Sequence, residues 1–290
     1  MRKCLLGKQP RTDCVAMNLE QTRLANEMRE FISEMPDIKG MEWVKEPEFL
    51  LYFEAERLLA MRRVILASGI AKDASLRVLD FGYLHGLVPE FLHRFFPNAK
   101  FLVYDHPASP VFRSPEYLQL IKKRAYLQLE ARDLAQLDGV AGEYDLMVLG
   151  EIIEHLDPTV FIRLSDAGKR LLKKGGHMLI TTPNSAGLLN LIETARGRDA
   201  QHPVIPDEVM QYGHIHLWSL PLLERSLQPR GWRLASVEFT HGFEAWFIQK
   251  ANRLWGSLLH QLLHRLTFVL ASWRPAWRGY FVSLWERSAP

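Results

Sequence analysis

Between Leu76 and Thr182 short runs of apolar and β-favouring residues alternate with helix-compatible stretches, and this alternation leaves the chain few possible folds. The runs are Arg77 to Phe81, Lys100 to Tyr104, Ala125 to Leu129, Tyr144 to Leu149 and His177 to Thr182. Segments 86 to 95, 115 to 123 and 158 to 173 fall between them. Strands separated by helices at this spacing predict a parallel sheet with crossover helices, an open, doubly wound α/β domain. Ligands of such sheets bind beyond the carboxyl ends of the strands, so the residues that follow each strand are the candidates for chemistry.

Two helices, 18 to 34 and 46 to 70, are expected before the first strand. In the second, Phe49, Phe53, Leu58, Met61, Val64 and Ile65 recur near helical spacing, with Glu54, Glu56, Arg57 and Arg62 between them. The pattern divides the chain into a polar stretch 1–16 expected to be disordered, a helical cap 17–75, a core 76–243, an amphipathic helical insertion 244–278, and a closing strand and tail 279–290. With 290 residues, 48% of them apolar, the core domain can be fully buried.

The net charge of +3 gives no reason to expect nucleic acid as the partner. The charge is uneven, however: Lys250, Arg253, Arg265, Arg274, Arg278 and Arg287 face only Glu286 from Ala245 onward. Cys4 and Cys14, the only cysteines, are too few for a disulfide framework, which favours a reducing, cytoplasmic setting. Residues 1 to 16 hold no continuous apolar run or cleavage pattern, and no apolar run approaches the roughly 18 residues a membrane span requires.

Chemistry concentrates at the strand ends. The first strand runs into Asp80-Phe81-Gly82-Tyr83-Leu84-His85-Gly86, where glycines let the backbone approach a ligand and the next helix presents free amides. The second ends at Asp105, which can accept hydrogen bonds from ribose hydroxyls or be a solvated turn residue. The fourth and fifth lead through Tyr144-Asp145-Leu146-Met147-Val148-Leu149-Gly150-Glu151-Ile152-Ile153-Glu154-His155-Leu156 to Leu171-Leu172-Lys173-Lys174-Gly175-Gly176 and Thr181-Thr182-Pro183-Asn184. A nicotinamide-dependent oxidoreductase would need G-x-G-x-x-G at the first turn, which this loop does not supply.

These segments together resemble class I S-adenosylmethionine-dependent methyltransferases over about residues 76 to 240. Leu84 stands where the family's D-x-G-x-G-x-G motif has its middle glycine, and Lys174 where its L-L-K-P-G-G motif has proline. The resemblance implies a Rossmann-like methyltransferase sheet with N-terminal helices and a helical insertion before the last strand. It implies S-adenosylmethionine as donor, held by Asp80, Gly82, Gly86, Asp105, Asp133 and Glu151. Asp133 matches the family's adenine-binding acid, and a helix N-cap is the alternative for it.

Glu151, Glu154 and His155, at i, i+3 and i+4, would share a face if helical and could bind a divalent cation with His216. The arrangement resembles metal-dependent small-RNA 2′-O-methyltransferases and ubiquinone-biosynthesis O-methyltransferases. Without metal, His155 or His216 can serve as the base that takes the acceptor proton. The metal-free reading is the one favoured.

Residues 244 to 274 carry tryptophans and leucines at helical spacing among basic residues, a pattern that suits a peripheral membrane contact at the inner face, a cover for the sheet, or a dimer face. The expected function is O-methylation of a sugar, a surface-glycan precursor or another small hydroxylated acceptor. A metal-dependent RNA methyltransferase and a non-catalytic methyltransferase-like scaffold at a membrane are the alternatives.

Overall fold

The computed structural model describes residues 19–37, 42–83, 85–134, 137, 142–195, 213–242 and 258–288. The stretch 1–16, Leu84, and the part of the insertion from 244 to 257 lie outside the described residues.

Helix α1 (Leu19–Ser33) buries Leu24, Ala25, Met28, Phe31 and Ile32, one face at helical spacing. A turn at Pro47–Phe49 and a π-helical stretch, Leu50–Glu54, lead into α2 (Ala55–Ala67). Then follow β1 (Arg77–Phe81), α3 (Leu87–Phe95), β2 (Lys100–Asp105), α4 (Pro115–Lys122), β3 (Leu127–Ala131), β4 (Tyr144–Gly150), α5 (Pro158–Leu171) and β5 (Leu172–Pro183). The chain continues with α6 (Leu188–Ala195), α7 (Leu220–Leu227), β6 (Trp232–Thr240), α8 (Leu258–Trp273) and β7 (Tyr280–Arg287).

The seven strands form one sheet in the order β3-β2-β1-β4-β5-β7-β6. β1 to β5 are parallel, while β7 runs antiparallel to both β5 and β6. The doubly wound sheet is therefore the expected one, and its closing strand enters between β5 and β6.

Alternation along the strands explains why both faces need cover. Val78, Val103, Leu146, Val148, Leu179, Val282 and Leu284 point into a core shared with α1 to α4. Leu79, Phe81, Met147, Leu149, Met178, Ile180, Phe281 and Trp285 point into a second core, built with residues of α5 and α7. Period-two side chains on a sheet buried on both sides give apolar strands, as the sequence shows.

Two of the five expected strand starts differ from the sequence expectation. β3 begins at Leu127 rather than Ala125 because a turn extends past α4: Leu127 N donates to Arg124 O at 3.0 Å. β5 begins at Leu172 rather than His177, since Leu172 already pairs with Tyr144 before the register shifts.

A larger correction concerns the expected 46–70 helix, which is a short turn, a π-helical stretch and α2, ending at Ala67. Glu54 and Arg57, charged residues between its apolar ones, are buried at 2% and 4% exposure. They lie among Phe53, Ala55, Leu58 and Ala60, which are buried as well, so this helix has little solvent face in its first turns.

Candidate active site

The carboxyl ends of β1, β4 and β5 meet the buried first turn of α2 and the π-helical stretch before it. Gly82 has φ +82°, and its amide donates to Tyr104 O at 2.8 Å. Gly86, with φ +76°, caps α3; a Cβ there would stand 2.4 Å from Tyr83 Oη. Both positions adopt the left-handed conformation that favours glycine. Tyr83 is itself buried, edge-on to Tyr117, whose hydroxyl donates to the His85 carbonyl at 3.1 Å.

Asp80 is 1% exposed, and its Oδ2 has no hydrogen-bond partner. Burial pushes its pKa well above the usual carboxylate range, against the pull of the Phe81 amide and Arg57. Asp105 lies at the end of β2, with Oδ1 accepting from His106 N at 2.7 Å and Oδ2 from Ser109 Oγ at 2.9 Å. Each oxygen keeps a lone pair for a further donor. Asp133 follows β3 and is partly buried.

Between β4 and β5 the polar groups interlock. Thr181 Oγ1 accepts from Arg57 Nη1 at 3.2 Å and from Glu151 N at 3.1 Å, and donates to Glu151 Oε1 at 2.8 Å. One donor and two acceptor sites are thereby filled, the full capacity of a hydroxyl. Arg57 Nη2 in turn donates to Glu54 Oε2 at 2.6 Å. Burial opposes the charge on Arg57, but Glu54, Glu151 and Glu154 outweigh it and hold its pKa above the ordinary value.

Glu154 is fully buried, with Oε2 accepting from Thr182 Oγ1 at 3.0 Å and Oε1 left without a partner. Burial pushes its pKa up to about 7; that of Glu151 is raised well above its ordinary value by burial and by Glu154. Two buried carboxyls so placed share protons rather than both ionising.

Glu151 does not share a helical face with Glu154 and His155 as expected. It has φ +56°, outside the short 3₁₀ turn Ile153–His155. A left-handed non-glycine residue is uncommon and is held here by its bonds to Thr181.

The segment from Gly213 runs along Glu154, whose carbonyl accepts from Ile215 N at 2.9 Å and His216 N at 3.2 Å. This brings His214, not His216, to the acids. Among the described residues Glu154, His155 and His214 offer ligand atoms that all lie within 4.8 Å of one another; Glu151 and His216 are not in that group. His216 instead stands edge-on to Trp218, ring centroids 4.6 Å apart. His155 is exposed, and its Nδ1 lies 2.9 Å from Gly213 O. A carbonyl only accepts, so the proton sits on Nδ1 and the lone pair on Nε2.

Sequence reasoning missed Glu54, Arg57, Thr181 and His214 as parts of this site. His214 carried a signal, since it stands two residues from His216 in the same histidine-rich segment. Asn184, from the Thr-Pro-Asn segment, holds the backbone together, its Nδ2 donating to Ala276 O and Arg278 O at 3.1 and 2.8 Å. A separate cleft of about 330 Å³, lined by Gly69, Asp145 and Lys173 among others, opens at the amino ends of β4 and β5, the wrong end for a ligand of this fold.

The strand order, the glycine turn and the polar groups at the carboxyl ends define a class I S-adenosylmethionine-dependent methyltransferase. The chain belongs to the Methyltransferase domain family, whose model matches residues 52–237. S-adenosylmethionine is accordingly its methyl donor. No curated protein matches it in sequence.

Three solved structures are similar in fold. The N-methyltransferase NodS from Bradyrhizobium japonicum, in complex with S-adenosyl-L-homocysteine, is 16% identical, with 92% of this chain and 100% of that one covered and a TM-score of 0.51. A SAM-dependent methyltransferase from Archaeoglobus fulgidus is 16% identical, covering 81% and 96%, at 0.51. The [4+2]-cyclase SpnF is 15% identical, covering 81% and 82%, at 0.52. A cyclase beside transferases on one fold means that the acceptor chemistry must be argued from the site.

Proposed function

We propose that the chain transfers the methyl group of S-adenosylmethionine to a hydroxyl oxygen of a small acceptor, a sugar, a surface-glycan precursor or another small hydroxylated compound. The observation that carries this reading is the bond between His155 Nδ1 and the Gly213 carbonyl, which leaves an exposed Nε2 lone pair beside buried Glu154. A hydroxyl is a poor nucleophile until its proton is taken, and an oriented imidazole is suited to take it.

For the donor, the unpartnered Oδ2 of Asp80 and the left-handed glycines at 82 and 86 fit a ligand that approaches the backbone closely. Asp80, Gly82 and Gly86 are assigned to the donor's methionine end, Asp105 to its ribose and Asp133 to its adenine, with Glu151 closing the pocket. The donor supplies an electrophilic methyl on a sulfonium; the acceptor oxygen bonds to that carbon as the carbon–sulfur bond breaks. The protein holds the two in line, and His155 Nε2 receives the acceptor proton.

A His155→Ala variant tests the assignment against a panel of hydroxylated acceptors. The turnover number should fall about 100-fold or more with affinity for S-adenosylhomocysteine unchanged. Undiminished turnover would remove His155 from the mechanism.

A second reading rests on the grouping of Glu154, His155 and His214. A carboxylate with two imidazoles is a fitting donor set for a divalent transition ion, and Glu154 Oε1 lacks a partner. A bound cation would lower the pKa of an acceptor hydroxyl. Metal analysis of the purified protein, with activity before and after chelation, separates the two: the first reading requires activity without metal.

A further inference from the structure

Helix α8 is apolar on two opposite sides. Thr267 and Ala271 are buried inward, and Phe268 stacks on His241 with ring centroids 4.1 Å apart. On the other side Leu262, Leu266, Val269, Leu270 and Trp273 form a stripe at helical spacing, with Leu262 63% and Trp273 83% exposed. A contiguous exposed apolar stripe opposite a helix's buried side marks a surface made for a partner.

Charge selects the partner. Helix α8 holds no acidic residue; its one charged side chain is Arg265, and exposed Arg274 follows its last residue, while Arg278 turns inward to the Phe239 and Ala271 carbonyls. A second copy meeting this face would set arginines against arginines, whereas an anionic surface would be attracted to it. The exposed tryptophan at the helix end suits the headgroup level of a bilayer, where an amphipathic ring is stable. No helix among the described residues is long and apolar enough to cross a membrane, so α8 would lie along the surface.

We propose that the outer face of α8 is a docking surface for anionic lipid headgroups. Helix α6, which packs against α8, begins five residues after the end of β5 and carries a further exposed leucine, Leu191. The docked face therefore adjoins the carboxyl-end side of the sheet, where Glu154 and His155 lie. Docking would hold the catalytic side at the lipid–water interface, in reach of acceptors that are themselves lipid-linked. The surface stands independently of which atom the enzyme methylates.

Flotation of the full chain with vesicles tests this. Phosphatidylcholine vesicles containing ~30% phosphatidylglycerol should carry the protein upward at low salt, and phosphatidylcholine alone should not. Leu266→Gln combined with Val269→Gln and Trp273→Gln should weaken binding about tenfold or more. Arg274→Gln should weaken it about fivefold, on anionic vesicles only. Affinity for S-adenosylhomocysteine, unchanged in every variant, reports that each one folds.

No flotation of the wild type on anionic vesicles overturns the proposal, as does equal binding by the triple variant. A concentration-dependent dimer in sedimentation that the triple variant dissolves would place a second copy on this face instead of lipid.

Discussion

Arg57 and Glu54, one helical turn apart and both nearly inaccessible, form an ion pair at 2.6 Å, and the other guanidinium nitrogen reaches Thr181 on β5. The pair ties α2 to the edge of the site, and Arg57 counters the charge of Glu151 and Glu154. Arg57→Met should cost about 3–5 kcal/mol of stability, because the carboxyls would remain buried without their cation. Adding Glu54→Gln to that variant should restore much of the loss. Urea unfolding measures both; a single variant as stable as the wild type would mean that water already screens the cluster.

The fold was legible because apolar strand runs and strand-helix spacing are written in many residues at once. The core strands read as apolar on both faces, and both faces are in fact covered. The buried ion pair was not legible in the same way. At i, i+3 in a helical stretch, Glu54 and Arg57 pattern as charged residues between apolar ones, and Thr181, the partner of Arg57 on β5, is 124 positions away. Local sequence carries no trace of that contact. The left-handed Glu151 was hidden for a related reason: Glu-x-x-Glu-His reads as one helical face, and only the bonds to Thr181 break it. The glycine turn and Asp105, by contrast, sit where the strand pattern puts them, since they depend on β1 and β2 alone.

Glu56 gives a pH signature. It accepts from the His241 amide at 3.1 Å, and burial pushes its pKa from the ordinary 4.5 up to about 7, against the His241 amide and Arg278. The folded state thus binds this proton more tightly than the unfolded chain. The resulting stabilisation is complete below about 4.5 and is lost as pH rises to about 7. His85 and His241 act with the opposite sign: burial lowers them to about 4 and about 3, so their contribution is lost as pH falls below 6.5. Comparing wild type with Glu56→Gln cancels the histidines. The wild type should lose stability relative to the variant across the carboxyl window, and then hold a constant difference above it. A difference that does not change with pH would show that Glu56 is solvated.

Asp80 and Asp105 should differ in how their loss is felt. Asp105 is half-exposed and satisfied by its own turn, so Asp105→Ala should leave the fold intact while weakening S-adenosylhomocysteine binding about 10- to 100-fold, the worth of hydrogen bonds to a charged group. Asp80 is buried with Oδ2 unpartnered and a raised pKa, so the protein without donor holds it at a desolvation cost. Asp80→Asn should therefore raise, or at least preserve, the unfolding temperature of the free protein and still weaken the complex, because a neutral amide no longer attracts the donor's ammonium group. Calorimetric titration and thermal unfolding of the same two variants separate these effects. If Asp105→Ala binds as tightly as wild type, the ribose lies elsewhere; if Asp80→Asn destabilises the free protein, its carboxyl has a structural partner, and the donor's ammonium group has no claim on that position.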